Sequence, residues 1–287
     1  MLILRTAAEI EQFVSRELAN GHSIGFVPTM GALHDGHLSL VTRAVDENDV
    51  TVVSVFINPT QFNNPQDLAT YPRDEEEDFR KLAKAHASVV FAPSVEEMYP
   101  EGVESRKRRE FTLGIQSKVM EGKYRPGHFQ GVAEIVAKLF ALVRPTRAYF
   151  GEKDFQQIAV IRNMVNTEGL EVEIVACPIR RDDDGLALSS RNALLSPSQR
   201  AIASEIHKTL EYSLEYAKSH SVKATHDTVV ERIDAIPEMK VEYFEIVDGR
   251  TLLPIDEWNE SPWIVGCITV YCGKVRLIDN ICYKKNI

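Results

Sequence analysis

The sequence predicts an α/β chain: a parallel sheet with helices on both faces, followed by a smaller α+β C-terminal domain. Three observations carry this. Through the first 180 residues, apolar β-branched runs alternate with segments of helical period, in repeats of about 30 residues, the length of a strand–helix–strand unit. The strongest run, 50–57, is apolar on both alternating faces, as a strand covered on both sides requires. After Ser196 the order changes to helices and then strands joined by a tight turn.

Taken in order, the first element read is Ile24-Gly25-Phe26-Val27, bounded by turn residues at His22 and Pro28. Residues 36–48 follow as a helix, with Leu38, Val41, Ala44 and Val45 at helical spacing. The strand 50–57 closes at Asn58-Pro59; 73–86 reads as a helix and 88–92 as a strand stopped by Pro93. Helix 129–143, strand 147–151, helix 154–168 and strand 172–175 complete the series. Residues 197–218 read as one helix, because Ser196-Pro197 puts proline at the first helical position. A second helix is expected at 225–235, then strands at 241–247, 263–271 and 275–278, the last two joined by Cys272-Gly273-Lys274. The expected domains are 1–178 and 179–287.

Composition narrows the function. Of 287 residues, 44% are apolar and 26% charged, an ordinary globular balance. Lys plus Arg minus Asp plus Glu is 33 − 42 = −9, which disfavours a general polyanion binder, so no nucleic-acid partner is expected. No apolar run approaches the roughly 20 residues of a membrane span. Residues 1–10 contain Arg5 and Glu9 and lack a long apolar core, so no signal peptide is expected and the chain reads as soluble and cytoplasmic. Cys177, Cys267, Cys272 and Cys282 show neither CxxC spacing nor a dense framework, and buried reduced thiols are expected rather than zinc or disulfides.

The densest segment for chemistry is Pro28-Thr29-Met30-Gly31-Ala32-Leu33-His34-Asp35-Gly36-His37, where the first strand hands over to a helix. Helix N-terminal N–H groups favour phosphate, and two imidazoles there can donate to phosphate oxygens as charge develops. A glycine-rich turn with two solvated histidines is the plainer reading, and a metal site the third. Gly151-Glu152-Lys153-Asp154 sits at another strand end, where Lys153 can neutralise phosphate. Leu188-Ser189-Ser190-Arg191 ends a small-residue loop from Asp184, hydroxyls plus a cation suited to a mobile phosphate clamp. Each is equally a charged turn or linker alone; three such loops at successive strand ends converge on one expected site.

Gln61, after the strongest strand, carries both donor and acceptor; Arg125 and His128 precede a helix and suit a carboxylate; Gln156-Gln157 open the helix after Lys153. Asp74 to Asp78 is a run of five acids. It reads as a solvated helix start that offsets the macrodipole, or Glu77 and Asp78 help hold magnesium near phosphates. Arg106-Lys107-Arg108-Arg109 reads as a solvated loop.

Taken together, PTMGALHDGH, VFINPTQF, RPGHFQGV, FGEKDFQQ and DGLALSSRN resemble the pantothenate synthetase (pantoate–β-alanine ligase) family, in its order, and Arg276-Leu277-Ile278-Asp279-Asn280 resembles its C-terminal end. His34-Asp35-Gly36-His37 is similar to the HIGH signature of class I adenylate-forming nucleotidyltransferases. The resemblance implies a Rossmann-like N-terminal domain, a C-terminal lid, a homodimer through the larger domain, and ATP with Mg²⁺. It also implies two steps: pantoate attacks the ATP α-phosphorus to give pantoyl adenylate and pyrophosphate, and the β-alanine amine then displaces AMP. His34 and His37 would serve as the phosphate donors, His37 toward the leaving pyrophosphate, with Lys153, Ser189, Ser190 and Arg191 holding phosphates. Met30 and the backbone around Gly151 and Arg180 would line the nucleotide site. Gln61 and Gln157 would grip pantoate, and Arg125 and His128 β-alanine. The wider HIGH superfamily has a lysine-rich second loop where this chain has Leu188-Ser189-Ser190-Arg191, which argues against a tRNA synthetase. The competing readings are an adenylyl transferase acting on a phosphomonoester and a non-catalytic nucleotide-binding module.

Overall fold

A computed structural model describes residues 1–104 and 109–286; Arg106, Lys107 and Arg108 of the basic run lie outside the described residues. By contacts the chain forms two units. The first comprises Met1–Gly114, Tyr124–Glu152 and Val160–Pro178; the second comprises Ile115–Lys123, Lys153–Ala159 and Ile179–Ile287. Two short stretches that precede residue 179, Ile115–Lys123 and Lys153–Ala159, thus belong with the C-terminal unit.

In the first unit, six parallel strands run in the order β1-β4-β3-β2-β5-β6. They are β1 (Leu2–Leu4), β2 (Ile24–Thr29), β3 (Val50–Val55), β4 (Val89–Phe91), β5 (Arg147–Gly151) and β6 (Glu173–Cys177). The helices along this part of the chain are α1 (Ala7–Ala19), α2 (Asp35–Glu47), α3 (Pro65–Thr70), α4 (Glu75–Lys84), α5 (Val95–Met98), α6 (Glu121–Tyr124), α7 (His128–Val143) and α8 (Phe155–Glu168). The opening β1–α1 pair has no counterpart in the sequence reading. Its signals are present, however: Thr6 and Glu9 form a capping box, and Ile10, Phe13 and Val14 supply the buried face.

Val27, Val53, Val90 and Tyr149 of adjacent strands meet Leu40, Val41, Ala44 and Leu82 of α2 and α4 in one core. Tyr149 is fully buried, so its hydroxyl needs partners. It donates to Glu47 at 2.9 Å and accepts from Asn48 at 2.7 Å. Burial pushes this phenol up to about 12.

The second unit contains the antiparallel sheet β7-β8-β9, built from β7 (Met239–Asp248), β8 (Trp263–Cys272) and β9 (Val275–Lys285). One face packs on α9 (Pro197–Ala203), α10 (Glu205–Ala217) and α11 (Val222–Asp234) through Leu210, Val229, Ile233, Ile268 and Leu277. The helix expected over 197–218 is thus two, divided at Ser204. The strand expected at 275–278 runs on to Lys285, because its polar residues find partners in the fold. Cys177, Cys267 and Cys272 are buried, whereas Cys282 is exposed, contrary to expectation.

The opposite sheet face is covered by Val119, Met120, Phe155 and Ala159. At its centre Glu121, 7% exposed, accepts from both Arg276 Nη atoms at 2.8 and 2.7 Å, from Tyr243 at 2.8 Å and from Thr269 at 3.1 Å. Burial alone lowers the Arg276 pKa, but Glu121 and Glu242 more than reverse this. Such a pair holds geometry more than it adds stability, and losing one partner strands the other's charge. Arg276→Met is expected to cost about 3–5 kcal/mol in denaturant unfolding followed by tryptophan fluorescence. Both tryptophans, Trp258 and Trp263, lie in this unit. An unchanged midpoint would mean that the network is dispensable.

Candidate active site

β2 and β5 pair side by side, and from them the sheet grows in opposite directions, to β3 on one side and β6 on the other. Open α/β sheets take ligands beyond the carboxyl ends of the strands at such a switch point. Two of the expected blocks leave the sheet here, the HxGH loop from β2 and Gly151-Glu152-Lys153-Asp154 from β5.

The chain turns sharply after Thr29, whose hydroxyl donates to Ser54 C=O at 2.7 Å and accepts the Gly31 N–H at 3.2 Å. Gly31 and Ala32 follow with φ of +79° and +50°. A Cβ at Gly31 would stand 2.9 Å from Asp78 Oδ2, so conformation and space both call for glycine. Asp78, 2% exposed, accepts the Ala32 and Leu33 N–H groups on separate oxygens at 2.7 Å each. Burial pushes this carboxyl up, and the two donors pull it back toward the ionised form. From the same helix Lys81 donates to Leu33 C=O at 2.6 Å.

Held this way, the loop delivers His34 as the N-cap of α2. His34 Nδ1 accepts the Gly36 N–H at 3.2 Å, and His37 Nδ1 accepts the His34 N–H at 3.4 Å. The ring centroids are 4.1 Å apart. A backbone N–H can only donate, so each Nδ1 is an acceptor and each neutral ring carries its proton on Nε2. Two Nε2–H donors therefore stand at the N-terminus of a 13-residue helix, whose dipole favours an anion. Asp35, in the first turn, is exposed.

A second cluster forms beyond β3. Asn58, 1% exposed, donates to Gly131 C=O at 3.1 Å and to Gln61 Oε1 at 3.3 Å, and accepts from Tyr99 at 2.7 Å. A Cβ at Gly131 would lie 2.4 Å from the Thr60 carbonyl oxygen, so only glycine permits this approach. Gln61 Nε2 lies 3.0 Å from Met30 Sδ. His128 Nδ1 is 2.8 Å from Gln61 C=O, which can only accept, so this ring is protonated on Nδ1. Its Nε2 then accepts from Arg125 at 3.2 Å. The structure thus joins Met30, Gln61, His128 and Arg125, which the sequence offered separately. Asn58 is the member that sequence reading passed over, although Asn58-Pro59 is a recognisable turn start.

Glu77 and Asp78 do not fit a magnesium ion. Glu77 pairs with Arg80, and both Asp78 oxygens face N–H donors. Asp78 is a buried anchor of the loop and is not solvated. Among the described residues no group of three or more His, Cys, Asp or Glu could hold a metal. Arg109 pairs with Glu168.

The remaining expected residues belong to the second unit, apart from Gly151 and Glu152. The Lys153 side chain is 17% exposed and 3.3 Å from Asp154, and Gln157 is half-buried. Gln156 is structural: it donates to Gln116 and Val119 C=O, both at 2.7 Å, and accepts the Glu121 N–H at 2.9 Å. The loop expected to be mobile is a bonded hairpin, with Leu188 N–H on Arg180 C=O at 2.9 Å and a bridge between Arg181 and Ala187. Ser189 caps the turn Ser190–Leu194 by accepting the Arg191 N–H at 3.3 Å.

A parallel α/β sheet with an HxGH helix start at its switch point defines a nucleotide-site fold of the HIGH type. Comparison with known proteins gives the particular family. The Pantoate-beta-alanine ligase family model matches residues 2–282, so the chain belongs to the pantoate–β-alanine ligase family, and its activity is the ligation of pantoate with β-alanine. It is similar to the pantothenate synthetase of Porphyromonas gingivalis W83, 57% identical over 99% of this chain and 100% of the relative. Its structure is similar to crystalline pantothenate synthetase from Thermus thermophilus, at TM-score 0.91 and 46% identity over 99% of this chain and 100% of that one. The Francisella tularensis pantoate–β-alanine ligase, complexed with β-γ ATP and β-alanine, matches at TM-score 0.80 and 35% identity over 100% and 99% of the two chains.

The loop account makes a stability prediction. Asp78→Ala removes the acceptor of the buried Leu33 N–H and of the part-buried Ala32 N–H, and losing the buried one alone costs about 1–3 kcal/mol. Urea unfolding should show that loss; a change below about 0.5 kcal/mol would remove Asp78 as the anchor.

Proposed function

We propose that the chain makes pantothenate from pantoate, β-alanine and ATP through pantoyl adenylate. The pantoate carboxylate attacks the ATP α-phosphorus, forming a C–O–P linkage as the α–β bridging bond breaks and pyrophosphate leaves. The neutral β-alanine amine then attacks the activated carbonyl, a C–N bond forms, the C–O bond to AMP breaks with its electron pair leaving on AMP, and the nitrogen releases one proton to water. The observation that carries this reading is the pair of imidazoles at the α2 N-terminus whose Nδ1 atoms accept backbone N–H groups, which leaves each neutral ring's proton on Nε2.

Donors placed where phosphoryl charge develops typically contribute about 3–4 kcal/mol each. His37 serves the leaving pyrophosphate and His34 the neighbouring oxygens. The loop 30–37, Gly151 to Asp154, Arg180 and Leu188 to Arg191 contact the nucleotide, with Lys153, Ser189, Ser190 and Arg191 on its phosphates. Gln61 and Gln157, neutral donors and acceptors, suit the hydroxyls and carboxylate of pantoate. Arg125 suits the β-alanine carboxylate, with His128 orienting both Arg125 and the Gln61 backbone. No protein nucleophile is required, since orientation of an activated acyl group supplies much of the rate. Magnesium enters with the triphosphate, and no step is assigned to it. The homodimer, the C-terminal lid and the cytoplasmic location belong to this proposal on the family resemblance. Among the described residues no helix is long and apolar enough to cross a membrane.

Exchange of labelled pyrophosphate into ATP, without β-alanine, tests the reading. It should require pantoate, and His37→Ala should slow it by roughly 10² with an unchanged melting temperature. Exchange driven by a phosphomonoester instead, or full exchange by His37→Ala, would overturn it.

A further inference from the structure

The closing Arg276-Leu277-Ile278-Asp279-Asn280 block carries no role in the chemistry described so far. Its residues alternate across β9, since neighbouring side chains of a strand point to opposite faces. Val275 and Leu277 pack on the helical side; Arg276 reaches Glu121 on the other. Asp279, 5% exposed, takes a fork from Arg181, with Nη1 at 2.6 Å and Nη2 at 2.9 Å, and also accepts the Asn280 N–H at 2.8 Å. Arg181 Nη1 reaches on to Gly185 C=O at 3.2 Å, so Asp279 grips the 180–188 hairpin. Asn280 Nδ2 donates to the Lys153 C=O at 3.2 Å.

We propose that Asp279 and Asn280 are positioning residues for adenylate formation: one strand fixes, from its two faces, the backbone of Lys153 and the hairpin that leads into Ser189-Ser190-Arg191. Neither residue touches substrate in this account. They set where the cationic and hydroxyl groups begin, and a displacement of about 1 Å in such groups can cost 10²-fold in rate. The inference rests on the reading that Lys153 and Arg191 hold phosphate. It also accounts for two polar residues in the middle of a strand whose neighbours Leu277 and Ile281 join the apolar core.

The test uses the full chain with Asn280→Ala and Asn280→Asp, the second nearly isosteric but without the amide donor. Both should lower pantoate-dependent pyrophosphate exchange about tenfold and raise KM for ATP, while KM for β-alanine and the melting temperature hold. Added to Lys153→Ala, Asn280→Asp should cause no further loss, because the two act through one group. Normal exchange in both Asn280 variants, an equal rise in the two KM values, or full additivity would each overturn the positioning role. If Lys153→Ala itself exchanged normally, the phosphate reading beneath it would fail instead.

Discussion

The two hydrogen bonds from Ala32 and Leu33 to the buried Asp78 carboxylate are the constraint on which the HxGH site depends. They hold two successive residues in the left-handed region, a conformation that Ala32 would not keep unaided. Only with that turn fixed does the chain bring His34 to the cap of α2, and only then do backbone N–H groups meet both Nδ1 atoms. A carboxylate on α4 thereby helps decide which nitrogen of each imidazole accepts a backbone N–H and which carries the proton. The donor geometry is built before any substrate binds, which is what preorganised stabilisation of developing charge requires.

The same economy appears elsewhere. His128 has the opposite tautomer to His34 and His37, because its Nδ1 meets a carbonyl where theirs each meet a backbone N–H. Three histidines of one site are thus set in two protonation patterns by their neighbours alone. In the second unit, buried charge does comparable work: Glu121 and Asp279 each take a forked arginine. The first ties the 115–123 stretch to the sheet, and the second ties down the hairpin.

The α/β alternation is legible in the sequence because parallel strands covered on both faces must be apolar throughout. The motif blocks are legible because glycine, proline and histidine at fixed spacing leave few geometries. What is not legible is long-range partnership. Asp78 lies in an acidic run that any helix start tolerates, and nothing local distinguishes the one acid that turns inward. Gln156 and Gln157 are adjacent and alike, yet helical rotation commits the first to three backbone partners. β9 extends past Ile278 because Asp279 and Asn280, which interrupt its apolar pattern, are satisfied by Arg181 and Lys153 far away in sequence. Polar residues with a structural purpose look, in one dimension, like the end of an element.

The central claim is that backbone donors fix both HxGH imidazoles as Nε2–H tautomers. Nitrogen-15 NMR of the histidine side chains in the full chain, above pH 8 where free imidazole is neutral, reads this directly. His34→Gln and His37→Gln variants would assign the signals among the eight histidines. The account predicts an Nε2-bound proton and an unprotonated Nδ1 for both rings. An Nδ1-bound proton on either ring would contradict it, since that nitrogen could then no longer accept its backbone N–H.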